Sequence, residues 1–430
     1  MYHVPGKQCI RLLHVTQAIS RERSLEARII SRVLLSPDQA NGATQKRVST
    51  LKLWLSVLKK SYDPERCLAE KQNELMENIH VAGTKENTMI DGVLNQWSFH
   101  NSSATAVTTP TLLLHGYAAS SLCFFRTFVP LSRSIKNLYA TDLPGNGLSK
   151  NKSFFSVMYG NEYMKVKYEE NNKFSIKYLN SLKDQTNSIK HSEDYYIDAI
   201  REWQLSNNLP KINLVGHSFG GYLSFKYALR YPDNVNKLCL VSPLGVESNL
   251  YSVNNSLKEN YLYDVDYSDP KSSYYSRNFA IPKSLFEGQF GILRWMGPIG
   301  ARVCWNYILS SYKRVPSMKY KEYLFHLLFG NAKKLVTSAK TFTNLFTRNL
   351  LAKDPIMDSI EKLQCEKLMV MYGQHDWMNK YAGYCLIAKL NNYRSTKDAG
   401  YFTEIPEAGH NLILDNPDRF SSSLISFLSK

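Results

Sequence analysis

The stretch Leu214-Val215-Gly216-His217-Ser218-Phe219-Gly220-Gly221 decides the fold. Ile212 to Val215 is a short apolar run that reads as a buried parallel strand, and Tyr222 to Arg230 reads as the helix that follows it. Gly216 and Gly220 stand two residues either side of one serine, where a Cβ would collide with the neighbouring strand or helix. The sharp turn they permit lifts Ser218 above the sheet. It also aims the first N–H groups of the helix at the place where negative charge develops when a carbonyl is attacked. The spacing predicts a nucleophile elbow.

Working outward, short β-rich runs alternate with helical ones. Asp91 to His100 and Thr111 to Leu114 read as strands, and the second ends in His115-Gly116-Tyr117-Ala118-Ala119-Ser120. A glycine-containing loop directly after a strand can point a backbone N–H into a site, so Tyr117 N–H is the expected oxyanion donor beside Phe219 N–H. His115 reads as a structural loop histidine. Leu138 to Thr141 is a further strand, closed by the rigid turn Asp142-Leu143-Pro144-Gly145-Asn146-Gly147. A helix is expected over Ser192 to Leu205 and a strand over Lys237 to Ser242. The alternation returns with Leu368 to Tyr372, ending at Gly373-Gln374-His375-Asp376, and with Tyr401 to Ile405, ending at Gly409-His410. Pro417 suits the first turn of a terminal helix. Such alternation argues for an α/β protein with a mostly parallel sheet flanked by helices.

Ser218, Asp376 and His410 therefore fall at strand ends in an order used for acyl transfer. Serine is a weak nucleophile at neutral pH, so His410 is expected to take its proton and later return one to the leaving group. Asp376 is expected to hold the imidazole in one tautomer and to stabilise its cation. Each piece also has a plainer reading: a tight turn, a surface loop histidine, a helix cap. Asp354 and Asp358 are the other acids that can fill the third place, though neither follows a clear strand. Asp415, five residues beyond His410, reads as a structural acid just ahead of the terminal helix.

At 430 residues, with 43% hydrophobic and 12% aromatic content, the chain buries a substantial core. Seven scattered cysteines have no metal-ligand spacing, so reduced packing residues and neither metal nor cofactor are expected. No run approaches the ~20 apolar residues of a membrane-spanning helix. Residues 1–45 carry five arginines and no acid before Glu22, which suggests a mitochondrial transit peptide or, more plainly, a basic tail. Residues 46–246 form the first part of the core, interrupted by a Lys/Asn-rich stretch, 150–190, that reads as a variable surface insertion. Residues 351–430 complete it.

Between these parts, 247–350 breaks the alternation and reads as a helical cap over the strand ends. Much of the formal charge of +16 sits there: Lys271 to Leu350 holds 13 Lys and Arg against Glu287 and Glu322. With no zinc-finger, helix-turn-helix or RNA-binding signature, nucleic acid is not expected. A cap both basic and aromatic suits the headgroup region of an anionic membrane surface, with an ordinary soluble lid as the alternative.

Leu114-His115-Gly116-Tyr117, Asp142-Leu143-Pro144-Gly145, Gly216-His217-Ser218-Phe219-Gly220-Gly221-Tyr222, Trp295-Met296-Gly297-Pro298-Ile299-Gly300 and His410-Asn411-Leu412-Ile413-Leu414-Asp415 carry a resemblance. The sequence resembles the α/β-hydrolase fold, specifically the lipid-acting subfamily that includes the fungal mitochondrial cardiolipin-specific deacylase and relatives described as lysophosphatidate acyltransferases. The resemblance implies an α/β-hydrolase fold whose helical cap is inserted after the sixth strand. It implies a phospholipid substrate, with cardiolipin as the expected one, and a phospholipase A-type acyl hydrolase acting peripherally on the mitochondrial inner membrane; a cytoplasmic or lipid-droplet location is the alternative. Two other functions stay open: acyl transfer to a lysophospholipid through a His410–Asp415 motif, and a non-enzymatic membrane-lipid regulator built on the same scaffold.

Overall fold

The computed structural model describes residues 49–154 and 162–430. The basic segment 1–45, with its expected targeting role, lies outside the described residues. The strands are β1 (Thr84–Ile90), β2 (Leu94–His100), β3 (Thr111–Leu114), β4 (Asn137–Thr141), β5 (Met164–Glu169), β6 (Lys173–Tyr178), β7 (Ile212–His217), β8 (Val235–Val241), β9 (Tyr263–Asp264), β10 (Lys367–Gly373) and β11 (Gly400–Ile405). The longer helices are α1 (Thr50–Ser56), α2 (Pro64–Met76), α3 (Leu182–Ser206), α4 (Phe219–Arg230), α5 (Lys283–Trp295), α6 (Gly297–Ser311), α7 (Met318–Phe325), α8 (Val336–Leu345), α9 (Lys380–Tyr393) and α10 (Pro417–Leu428).

Eight strands join in the order β1-β2-β4-β3-β7-β8-β10-β11. The two pairings made by β2 are antiparallel and the rest are parallel. The central strands read as near-continuous apolar runs because both faces are covered. Side-chain alternation then divides each run between two cores. Leu112, Leu114, Leu214, Leu238 and Leu240 enter the core under α3, α4 and α9, whereas Leu113, Val215, Cys239 and Val241 enter the one under α10 and the cap helices. The elbow thus sits mid-sheet, at the carboxyl end of β7, where loops from β3, β8, β10 and β11 converge.

Three expectations are corrected. The strand expected over Asp91 to His100 is found but starts at Leu94, because Asp91 (φ 50°) and Gly92 (φ 67°) turn the chain between it and an unexpected antiparallel partner, β1. The edge strand β1, Thr-Lys-Glu-Asn-Thr-Met-Ile, is largely exposed, so it carried no apolar signal. Second, the stretch 150–190 is not all irregular. It holds the β5–β6 hairpin, whose Met164, Phe174 and Ile176 pack with Leu250 and Leu257, and β9 from the cap adds a third strand. Third, α3 begins at Leu182, ten residues before the expected start. Ser181 caps it by accepting from Asp184 N at 3.0 Å, and Lys190–Asp194 pairs across one turn at 2.6 Å.

The cap does follow β8, sixth strand of the main sheet in chain order. Its first third is a loop with β9, and only from Lys283 onward is it predominantly helical. Helices α1 and α2 fold against this cap. Lys71 meets Glu322 at 3.0 Å, Lys319 meets Glu74 at 2.9 Å, and Arg294 Nη2 donates to Val57 O at 3.3 Å. Among the described residues no helix is long and apolar enough to cross a membrane.

Candidate active site

Ser218 is the one residue between β7 and α4, at φ 55° and ψ −114°. Such a conformation costs a non-glycine residue about 1–3 kcal/mol, and its surroundings must impose it. Ser218 N donates to Val241 O at 2.8 Å, and Ser218 O accepts from Gly221 N at 3.0 Å and Leu244 N at 3.1 Å. A Cβ on Gly216 would lie 2.3 Å from Gly220 O, and one on Gly220 would lie 2.4 Å from His115 O. Strand, helix and the β3 loop therefore touch through backbone, and only glycine fits at these two places.

The structure brings Ser218, His410 and Asp376 together. His410 Nε2 lies 3.0 Å from Ser218 Oγ, and His410 Nδ1 lies 3.2 Å from Asp376 Oδ1. Asp376 is buried, and Ser242 Oγ donates to its Oδ2 while Met378 N donates to Oδ1 at 3.1 Å. Burial by itself pushes this carboxyl up; the charge and hydrogen bond of His410, with the bonds from Ser242 and Met378, more than offset that and hold it below the usual carboxylate value. The alternative acids are engaged elsewhere. Asp354 pairs with Lys226, and Asp358 accepts from Ser248, Ser252 and Asn254.

Gly116, Tyr117, Ser218 and His410 line one large, open cleft that cap residues such as Phe286 and Leu293 also border and that runs out along α9, β11 and α10. Among the described residues no acceptor takes the N–H of Tyr117 or of Phe219. The Tyr117 ring packs at a tilt against Phe342 of α8, with centroids 4.3 Å apart, and meets Phe219 edge-on at 6.3 Å, so the cap helps to fix the β3 loop. His115 is structural: it is buried and its Nε2 accepts from Leu143 N at 2.8 Å. Asp415 does not reach Ser218 or His410 by a hydrogen bond; its Oδ2 accepts from Gly409 N at 2.8 Å and faces Arg314 Nη1 at 3.7 Å. Burial pushes the Asp415 carboxyl up, opposed by the Gly409 N–H and by Arg314 and Arg126.

Sequence reasoning missed three supports. Ser242, directly after β8, orients Asp376; a serine at a third neighbouring strand end was a usable signal. His217 donates from Nε2 to His410 O at 2.9 Å. Asp142 accepts from Asn95 Nδ2, Ser121 N and Leu148 N at 2.8, 2.7 and 2.9 Å, locking the loop after β3 to the turn after β4. No group of three or more metal-ligating side chains gathers among the described residues.

This arrangement has what acyl transfer requires: a serine bonded to an imidazole, an imidazole bonded to a buried carboxylate, and unoccupied N–H groups beside the serine. Comparison with known proteins agrees with the fold. The alpha/beta hydrolase fold family matches residues 109–417. Two proteins of Saccharomyces cerevisiae are similar over most of their length. Protein ECM18 is 47% identical over 95% of this chain and 89% of its own. The 1-acylglycerol-3-phosphate O-acyltransferase ICT1 is 45% identical over 84% of this chain and 92% of its own. The crystal structure of the Bacillus subtilis carboxylesterase CesB superposes with a TM-score of 0.51 at 14% identity, covering 85% of this chain and 99% of that one.

Proposed function

The chain belongs to the alpha/beta hydrolase fold family, in its lipid-acting hydrolase- and acyltransferase-like branch, and from that premise we propose that it is a serine-dependent phospholipid acyl hydrolase. The observation that carries this reading is the unbroken run Asp376–His410–Ser218 opening into the large cleft. His410 Nε2 takes the Ser218 proton as Oγ bonds to the carbonyl carbon of an acyl ester. The oxyanion rests on the N–H groups of Tyr117 and Phe219. Collapse breaks the bond to the glycerol oxygen, which leaves with the proton from His410 as a lysophospholipid alcohol. Water, deprotonated by His410, then releases the fatty acid and restores Ser218.

Cardiolipin at the mitochondrial inner membrane is the substrate and place we assign. The basic cap and the basic N-terminal segment support this. The test is to incubate purified protein with cardiolipin and with phosphatidylcholine, measure free fatty acid, and label with a fluorophosphonate probe. Release from cardiolipin that disappears in Ser218→Ala, together with labelling at Ser218, is expected. No labelling of folded protein would leave a lipid-binding scaffold as the function.

A second reading uses the same acyl-enzyme with a lysophospholipid in place of water. The name of the ICT1 relative, a 1-acylglycerol-3-phosphate O-acyltransferase, favours it. Adding lysophosphatidate and acyl-CoA to the same assay separates the two, since newly acylated phosphatidate without free fatty acid would select transfer over hydrolysis.

A further inference from the structure

Helix α5 roofs the cleft. Leu285, Phe286, Gln289, Phe290 and Leu293, with Met296 just beyond its end, line the same cleft as Ser218, and the helix is kinked at Gln289 (φ 42°, ψ −129°). Two of these are also open to solvent, Leu285 at 46% and Met296 at 36% exposure, so the cleft has a mouth along this helix. Immediately beside that mouth stand Trp295, 88% exposed, and Ile299, 65% exposed. An indole left in water at that level is unusual for a side chain of its apolar area.

The apolar surface continues onto α1. This helix turns Leu53 and Val57 into the core shared with the cap and leaves Leu51, Leu55 and, just beyond its end, Leu58 exposed, spaced i, i+4 and i+7. Arg294 Nη2 bonds to Val57 O, and Trp54 Nε1 lies 3.9 Å from the Cβ position of Gly297, so α1 adjoins the turn that carries Trp295 and Ile299. Charge flanking this surface is predominantly positive. Ser49 to Asp63 holds Lys52, Lys59 and Lys60 against Asp63, and Lys283 to Lys321 holds seven Lys and Arg against Glu287.

We propose that Leu51, Leu55, Leu58, Trp295 and Ile299 insert into the boundary between headgroups and acyl chains of an anionic bilayer. The mouth at Leu285 and Met296 then faces lipid, and an acyl chain slides along α5 to Ser218 without crossing water. The inference rests on the phospholipid reading of the same site and adds the surface and the route. A bilayer is the occupant because the rim is cationic and carries an exposed indole, a combination that suits phosphate headgroups above hydrocarbon. A second copy of the chain would bring the same positive rim and be repelled.

The experiment is flotation with phosphatidylcholine vesicles containing cardiolipin, using Trp295→Ser/Ile299→Ser and, independently, Leu55→Ser/Leu58→Ser. These side chains are exposed and lie outside the catalytic groups, so melting curves should match wild type. Vesicle-bound protein is expected to fall about tenfold or more in each pair, with fatty acid release from vesicles falling alongside. Hydrolysis of a water-soluble short-chain ester should stay unchanged. Unaltered flotation of both pairs, or wild-type protein that does not float, overturns the proposal. So does a wild-type dimer that the substitutions convert to monomer. Because flotation needs no turnover, it reads the surface even if the wild type hydrolyses no ester, an outcome that would count against the Ser218 reading alone.

Discussion

His217, the residue between the elbow glycine and the serine, donates from Nε2 to the main-chain carbonyl of His410 at 2.9 Å. The turn that presents the nucleophile therefore also holds the loop that presents its base. The two rings lie 5.0 Å apart. Burial, and next the charge on His410, push the His217 imidazole down to about 3, so it stays neutral and keeps one donor on Nε2.

Removing that donor in His217→Ala is expected to leave His410 O without its partner, lower stability by about 1–3 kcal/mol, and reduce turnover. His217→Gln, which retains an N–H donor, should recover part of both. The pH dependence carries a sign. The folded ring titrates near 3 and the unfolded ring near 6.5, so as pH falls below 6.5 only the unfolded state gains a proton, and stability is lost. Between pH 7 and pH 5 this amounts to about 2 kcal/mol. Urea unfolding at the two pH values should show wild type losing that much more than His217→Gln. Equal losses would mean that the folded His217 takes up the proton.

The elbow also makes a steric prediction. A methyl group on residue 216 would press on Gly220 O and Ser224 Oγ, both at 2.3 Å. Neither can retreat, since one is helix backbone and the other donates to that same carbonyl. Gly216→Ala should cost about 3 kcal/mol or more, read as a lowered melting temperature. A variant that melts with wild type would show that strand and helix can separate here.

The elbow, its glycines and the strand ends were legible in the sequence because steric necessity leaves few residue types able to fill such a turn. Helix α10 was legible for a similar reason, with Pro417 in its first turn and Asn416 capping it. The edge strand β1 and the β5–β6 hairpin were not. They are rich in Lys, Asn, Thr and Glu, and pairing with a neighbouring strand, which is not visible locally, is what makes them strands. The supports of the site failed to show for another reason. Ser242, His217 and Asp142 act through contacts 134, 193 and 47 residues away along the chain, so no local pattern announces them.

Glu247 and Arg277 form a buried pair that joins the start of the cap to the loop before α5; Arg277 also leans on Asn349 O and Leu350 O at 3.5 Å. Replacing one partner strands a charge in the interior. Arg277→Met should lower stability by about 3–5 kcal/mol, whereas Glu247→Leu/Arg277→Met should cost clearly less than that single change. Denaturant unfolding of the two singles and the double measures the difference. A double variant as unstable as the sum of the singles would mean that the two side chains act independently.

Asp376→Asn keeps the shape of the side chain and removes its charge. The amide cannot hold a protonated His410 in place, so kcat should fall about 10⁴-fold with KM little changed, and labelling of Ser218 should slow with it. Stability gives a second reading. The folded carboxyl lies below its ordinary value, so its contribution is complete above about pH 4 and is lost as pH falls through the lower, folded value. The Asn variant should lack that acid-limb loss, which thermal melts from neutral to strongly acid pH will detect. Wild type and variant losing stability in parallel there would place the stabilising carboxylate elsewhere.

Asp415 distinguishes a brace from a catalytic group. Its carboxylate is half-buried and bonded to Gly409 N, the residue before His410, with Arg314 of the cap 3.7 Å away; it makes no hydrogen bond to Ser218. A group so placed acts on both fates of the acyl-enzyme through the position of His410. Asp415→Ala should therefore lower hydrolysis and acyl transfer by the same factor, about 10–100-fold, as expected for a base displaced by an ångström or so. Asp415→Asn keeps an oxygen to accept from Gly409 N and should restore most of both. The decisive quantity is the ratio of newly acylated phosphatidate to free fatty acid, measured with one sample of each variant. A constant ratio makes Asp415 a positioning residue. A ratio that collapses while hydrolysis is spared would instead require Asp415 to touch the lysophospholipid acceptor, and the loop from Gly409 to Asp415 would have to open for it to do so.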